Sequence, residues 1–480
     1  MPLVDWLQTP RVRRTLAASA VVLATGGLVL FRSPTNSIAQ VPVSHATSGT
    51  VAQFAGPGLH GSVSLSHGAV LAGGDRDVYA EVRLAADPAA RAESRAPLAL
   101  AIVLDTSGSM YGEKIEQAKQ AVLGVMRDMR DDDQITMIRY SSDVSVVQPL
   151  ARLGDVRQTL ATQIRQIEAD GGTAIPLGMR AGVKALEEAG RGRVRRVVLI
   201  SDGLDSSRNE SEHIAHDSFE HGVTISSLGI GLDFDEAYMA GVSQRGHGNF
   251  AYVKDSSALA SFLSRELQQT ASTTIEGAVV QVKIPRAMRF VSATGADAKV
   301  IDDENVELRF GSLFARDERR AIVHLSARLD AGETVKIGAI ADWTQVVPNS
   351  GSPFVPAHVE VDAIALRGAT DARSVDEQRD NGVLADATSV IASEKELEAT
   401  TAFARGDVAQ ANALIEQNQQ ALRAAATAAP APVAAKLQKQ WNAYEETKKA
   451  FHAPAGSGAA REAAKSAYQL DNDNLARATY

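Results

Sequence analysis

The sequence predicts an α/β doubly wound domain inserted in or flanked by a β-sandwich and followed by a helical C-terminal region. Three observations carry that prediction. An apolar run over 98–104 ends in Asp105, Ser107 and Ser109 and is followed from about Gly112 by a helix-period pattern. Alternating apolar positions lie on both sides of that region, at 78–84 and again from 280 to 363. After about residue 370 the composition turns to Ala, Gln and Glu with few β-branched residues, which favours helices. At 480 residues the chain has room for about two to four domains of the usual size. The expected organisation is 1–39 as export signal or membrane anchor, 40–97 as early sandwich strands and 98–270 as the α/β domain. The rest of the sandwich then occupies 271–369, and helices occupy 370–480.

Taken in order, the N-terminal segment comes first. Arg11, Arg13 and Arg14 precede an uncharged run over 15–31. A basic flank before an apolar stretch reads as an export signal, and Ser37, Ile38 and Ala39 offer a signal-peptidase cut before Gln40. An uncleaved anchor is the alternative, because the run is at the lower end of what spans a bilayer. In either case the arginines keep the N-terminus cytoplasmic and send the remainder outward. The expected location is therefore periplasmic or otherwise extracytoplasmic.

Val78, Ala80, Val82 and Leu84 alternate with Tyr79, Glu81 and Arg83, the pattern of a half-buried strand. The stretch 62–71 reads as a further strand closed by a turn over 71–75. Such strands cannot make a domain alone. They join the later alternations Val280/Val282/Ile284, Val306/Leu308/Phe310, Val323/Leu325/Ala327/Leu329, Val335/Ile337 and Val359/Val361/Ala363. The α/β domain is then an insertion through two close-lying connections, which exposed loops tolerate well.

Within the insertion, Ile115, Ala118, Val122, Val125, Met126 and Met129 form a helical stripe, and 134–140 reads as a strand. Helices are expected near 155–167, 176–188, 209–220 and 235–245, separating strands as a doubly wound sheet requires. In the C-terminal region, Gly406 and Asp407 break and restart a helix whose face is Val408, Ala411, Ile415 and Leu422. Leu437, Trp441, Tyr444 and Phe451 mark a second face, with 425–433 as a linker and a last helix at 459–475. The two faces are expected to pack as an antiparallel hairpin, the Trp441 stripe being otherwise free for a partner.

The chemistry gathers in the α/β domain. Asp105, Ser107 and Ser109 stand at the carboxyl end of a strand, where such folds bind ligands. Gly171, Gly172 and Thr173 precede one helix, and Ser201, Asp202 and Gly203 end another apolar strand. Oxygen-bearing side chains of this kind are ligands for a hard divalent cation. The pattern resembles the von Willebrand factor type A domain over 98–270. The resemblance includes the metal-ion-dependent adhesion motif Asp-x-Ser-x-Ser, a lone Thr and an Asp in order, the later strand end at 228–231 and the return strand at 246–252. It implies that Ser107, Ser109 and Thr173 touch Mg²⁺ (or Mn²⁺ or Ca²⁺), while Asp105 and Asp202 act directly or through water. Mg²⁺ so held keeps an open position that a carboxylate from a protein partner fills.

Other function classes fit less well. A phosphotransferase of the haloacid dehalogenase type needs a second carboxylate two residues after Asp105, where Ser107 stands. No Gly-x-Ser-x-Gly elbow, phosphate-binding loop or His-Glu-x-x-His helix is present, so no enzymatic activity is expected. A formal net charge of -9, with no basic run beyond the N-terminus, argues against nucleic-acid binding. With no cysteine there is no disulfide, thiolate metal site or lipidated thiol. His213, His216 and His221 lack a zinc-site pattern. Asp131, Asp132 and Asp133 read as a solvated turn, and 233–236 as a helix start. The expected function is an exported, divalent-metal-dependent protein-binding module, with the N-terminal segment at the membrane. The alternative is a membrane-associated scaffold or accessory subunit whose metal is structural.

Overall fold

Alternating apolar residues from two distant parts of the sequence meet in one sandwich core. The computed structural model describes residues 46–88, 97–189, 192–202, 205–254, 256–347, 354–454, 456–477 and 479–480. The export segment, its cut after Ala39 and the anchor at 15–31 fall outside the described residues. Before the insertion run β1 (Ala46–Ser48), β2 (Val51–Gly56), β3 (Leu59–Leu65), β4 (Ala69–Leu71) and β5 (Arg76–Ala86). The insertion comprises β6 (Leu98–Asp105), α1 (Glu113–Asp128), β7 (Gln134–Tyr140), β8 (Val144–Arg152), α2 (Leu153–Arg165) and α3 (Ile175–Glu187). It continues through β9 (Val194–Ser201), α4 (Arg208–Glu220), β10 (Val223–Ile230), α5 (Glu236–Arg245), β11 (His247–Val253) and α6 (Ser256–Ala271). The sandwich resumes with β12 (Thr273–Lys283), β13 (Met288–Thr294), β14 (Asp297–Asp302), β15 (Asn305–Phe314), β16 (Glu318–Ala327), β17 (Thr334–Val346) and β18 (Phe354–Ala369). Helices α7 (Ala372–Glu377), α8 (Asn381–Ala404), α9 (Val408–Ala428), α10 (Ala431–Ala450) and α11 (Gly458–Arg477) follow.

One sandwich sheet has the order β1-β2-β3-β5-β16-β13 and the other β14-β15-β12-β17-β18-β4. Val63, Val82 and Leu325 of the first and Val280, Leu308 and Trp343 of the second lie in one buried cluster. Burial of such side chains is the main force joining the sheets. The insertion enters and leaves at one place. Ala86 N donates to Asp317 O (2.9 Å) and Ala315 N donates to Ser272 O (2.8 Å), so the 315–317 turn holds both connections.

Two strand expectations change. The stretch 62–71 is not one strand: β3 and β4 belong to different sheets, because the chain breaks at Ser66, whose Oγ accepts from Tyr79 N at 2.9 Å. Ala363, expected inward, is exposed. Ile337 faces Ile364 whereas Ala339 faces Val361, so a bulge on β18 reverses the phase and hands the inward positions to Ile364 and Leu366.

The inserted sheet has the order β11-β10-β9-β6-β7-β8, parallel except for the edge strand β8. Helices α1, α2 and α6 cover one face and α3, α4 and α5 the other. That burial on both faces is why 98–104 of β6 and 197–200 of β9 read as unbroken apolar runs rather than alternations, while β10 buries Thr224, Ser226 and Ser227 among its apolar residues. Strand β8 escapes a sequence reading because its apolar residues stay partly or wholly in solvent, Val146 being 50% exposed.

In the C-terminal region the expected linker at 425–433 shrinks to a short turn. Helix α9 runs to Ala428 and α10 starts at Ala431, since Pro432 sits in a first helical turn where its missing N–H costs nothing. Phe403 and Phe451 stack at 3.7 Å, and Arg423 lies over the half-buried Trp441, so the aromatic stripe packs within the hairpin. Helix α11 spans the boundary between insertion and sandwich. Its Arg461 pairs with Asp233 (3.0 Å), Gln469 accepts from Tyr252 N (2.9 Å), and Asn474 accepts from Arg320 Nη2 (2.9 Å). Among the described residues no helix is long and apolar enough to cross a membrane.

Candidate metal centre

Strand β6 is buried along its whole length and delivers Asp105 to the carboxyl edge of the sheet beside the end of β9. Asp105 and Asp202 are fully buried, Ser107 nearly so, and Ser109 opens to solvent. Asp105 Oδ1 accepts from Ser107 N at 2.8 Å, and Oδ2 accepts from Ser201 Oγ at 2.6 Å. The two hydroxyls Ser107 Oγ and Ser109 Oγ lie 3.0 Å apart, and Ser109 Oγ donates to Asp202 Oδ1 at 2.7 Å. Asp202 Oδ2 takes an ion pair from Lys114 Nζ. Burial raises the Asp105 carboxyl above its ordinary range, against hydrogen bonds from Ser107 and Ser201 that lower it and Asp202 that raises it further.

The third loop is drawn in by its backbone. Gly108 N donates to Gly171 O (2.9 Å) and Asp170 N to Thr106 O (2.7 Å). Gly171 sits at φ +86°, and a Cβ there would come within 3.1 Å of Ser141 Oγ, so glycine is needed both for the turn and for the approach. Thr173 follows, half-buried, with no hydrogen bond to the other four residues among those described. Four of the five expected residues thus form one bonded array, and Thr173 stands in the loop fastened to it.

Residues 99–265 match the family model of the von Willebrand factor type A domain. The chain carries a von Willebrand factor type A domain. Over 250 residues it is 25% identical to the Synechocystis protein sll0103, covering 48% of this chain and 58% of that one. With Escherichia coli YfbK it shares 26% identity over 192 residues, 38% of this chain and 33% of the relative. The chain thus spans less than two thirds of the length of these relatives. A solved von Willebrand factor type A structure from Catenulispora acidiphila superposes with a TM-score of 0.64 at 17% identity, over 85% of this chain and 91% of that one, a likeness of fold.

The type A domain's donor set fits a small hard cation. Two ligand oxygens on adjacent octahedral positions of Mg²⁺, each at about 2.0–2.1 Å, are about 2.9 Å apart, close to the Ser107–Ser109 separation. Among the described residues no group of three or more His, Asp and Glu side chains offers a competing cage.

Outside this array the domain behaves largely as its sequence reads. His213 pairs with Asp217, His221 Nδ1 contacts Asp217 O, and His216 faces Asp297, so the three histidines share no centre. Asp235 caps α5 by accepting from Tyr238 N at 3.0 Å. The acidic turn differs in one residue. Asp133, expected in solvent, is fully buried and accepts from Arg130 N (2.8 Å) and Leu98 N (3.3 Å), tying the turn to the start of β6.

Sequence reasoning missed Ser201, Tyr140 and Lys114. Ser201 is the last residue of β9, and its hydroxyl meets Asp105 Oδ2 at the end of the adjacent β6. Tyr140 OH lies 3.4 Å from Asp105 Oδ2 at the end of the adjacent β7. For Lys114 nothing in the spacing shows that an ammonium on the first turn of α1 reaches back to Asp202.

Proposed function

We propose that this protein captures a protein partner through a divalent cation, Mg²⁺ or Mn²⁺, at the edge of its type A domain. Ser107, Ser109 and Thr173 would hold the ion, with Asp105 and Asp202 placing bound water and fixing the hydroxyls. The observation that carries this reading is the continuous array Asp105–Ser107–Ser109–Asp202, buried at its base and open at Ser109. A bound cation polarises whatever oxygen occupies its open position, and a carboxylate is the natural occupant. Two apolar side chains next to the loops favour a protein as its carrier: Tyr111 is 80% exposed and Leu177 44% exposed. Exposed aromatic and aliphatic groups at a polar centre suit protein contacts.

The same reading puts the module outside the cytoplasmic membrane, supported by the arginine-flanked run over 15–31. Titration calorimetry of the full chain with Mn²⁺ tests the centre. Binding that Asp105→Ala abolishes is expected, and equal affinity in the variant removes the assignment. Partner capture from membranes is expected to be lost on chelation. A chelator-insensitive complex would instead favour a scaffold whose metal is structural.

A further inference from the structure

Among the described residues, three charged groups are bonded into the metal centre, and one of them is a cation supplied by the chain itself. Lys114 is the second residue of α1, which starts after Gly112 at φ +86°. Its side chain, 29% exposed, ends on the fully buried Asp202. Beneath the stem lies Gly231, where a Cβ would stand 3.4 Å from Lys114 Cε and 3.6 Å from Nζ. The lysine stem thus runs over Gly231, which is a glycine for its φ of +75°. On the same loop Asp233 is engaged by Arg461 at 3.0 Å, while the direct ion pair of Lys114 is with Asp202.

We propose that Lys114 is the specificity-determining charge of the centre: it leaves the metal-loaded site one positive charge in excess, so that the site demands an anionic ligand. The inference rests on the metal-centre reading above. Asp105 and Asp202 bring two negative charges, the hydroxyls of Ser107, Ser109 and Thr173 bring none, and Lys114 returns one positive. A divalent ion added to this set gives a net charge of plus one, over two fully buried carboxylates. One carboxylate from outside neutralises it. Without Lys114 the loaded centre is formally neutral, and its pull on an anion over water or a neutral oxygen is weaker. The same ammonium repels the incoming cation, so metal affinity is held down while the demand for a partner is raised. Because ions in a partly desolvated site interact strongly, losing the lysine charge is expected to tighten metal binding about tenfold or more.

The test is calorimetric titration of the full-length protein with Mn²⁺ alone, and again in acetate as the small carboxylate. The proteins compared are wild type, Lys114→Met, Lys114→Gln and Lys114→Arg. Met keeps the stem over Gly231 and Gln keeps a polar end, while Arg keeps the charge. The expected result is tighter Mn²⁺ binding in both uncharged variants and wild-type affinity in the Arg variant. Acetate is expected to strengthen Mn²⁺ binding to wild type and Arg more than to Met and Gln. Equal Mn²⁺ affinity in all four, with wild type binding, overturns the role of Lys114 and leaves the metal centre standing. Absence of binding in all four overturns both. Binding in the uncharged variants alone supports the inference in its strongest form.

Discussion

Thr173 stands half-buried in a loop rather than in the core, so its loss and the loss of the fold separate. Thr173→Ala should leave the melting temperature within the range of a surface change, about 0.5 kcal/mol, while metal affinity falls in calorimetry. Unchanged affinity would remove Thr173 from the ligand set. Tyr111→Ala deletes a ring that touches solvent over most of its surface. It should leave Mn²⁺ affinity alone and weaken capture of the partner, read as a faster off-rate by surface plasmon resonance. Asp105 and Asp202 were legible as positions because each stands at the end of an apolar strand, whereas Ser107, Ser109 and Thr173 lie in connecting segments and were named through the motif they resemble. Lys114 and Asp133 were not legible. Their roles depend on a side chain crossing to another element, for Lys114 the end of β9 and for Asp133 the start of β6, and no periodicity records such a reach.

Helix α11 carries the element-scale consequence. Its Asp471 is enclosed with Glu396 of α8, and Ser393, Tyr444 and Tyr480 donate to Asp471 Oδ1 at 2.7, 2.8 and 3.0 Å. Asn418 of α9, Gln440 of α10 and Asn474 of α11 complete the polar lining, with Arg320 donating to Asn474 Oδ1 at 3.3 Å. Asp471 Oδ2 and Glu396 Oε1 are buried without a partner among the described residues. Burial raises both carboxyls, Asp471 to about 7. A folded-state value above the unfolded one near 3.8 means the native state holds a proton the unfolded chain releases. That stabilisation is fully present below about pH 4 and is lost as pH rises through about 7. The melting temperature of wild type should therefore fall from pH 6 to pH 8, and Asp471→Asn, which keeps the accepting oxygen, should flatten the slope. A parallel decline in both proteins would sink the assignment. In the same bundle, Phe403→Ala empties one side of the stacked pair with Phe451 and should cost about 3–5 kcal/mol in denaturant unfolding. Helices were the elements best read from sequence, because a turn repeats within four residues. The exchange of sheets at Ser66 and the bulge near Ala363 were hidden, since both are answers to a neighbouring strand.

For the whole molecule, the insertion shares α11 with the sandwich, and the two should unfold together. A single calorimetric transition is expected, and Mg²⁺ should raise its midpoint, as any ligand of the native state does. Two transitions with only one sensitive to the metal would contradict the coupling. Topology is tested separately: a reporter fused after Tyr480 should be active only outside the cytoplasm, and cytoplasmic activity would refute the outward placement.

The shared seat of the two connections on the 315–317 turn has a mechanical meaning. Strand β6 ends at the metal face, and its eight residues set that face roughly 25 Å from the strand's start. A tug by a captured partner is therefore shared out. Besides the two connections, Arg245 on Asp297 and Arg309 on Glu220 tie the insertion straight to the sandwich, and Arg461 and Gln469 tie it to α11, so the load leaves the metal face along side-chain ties as well as along the chain.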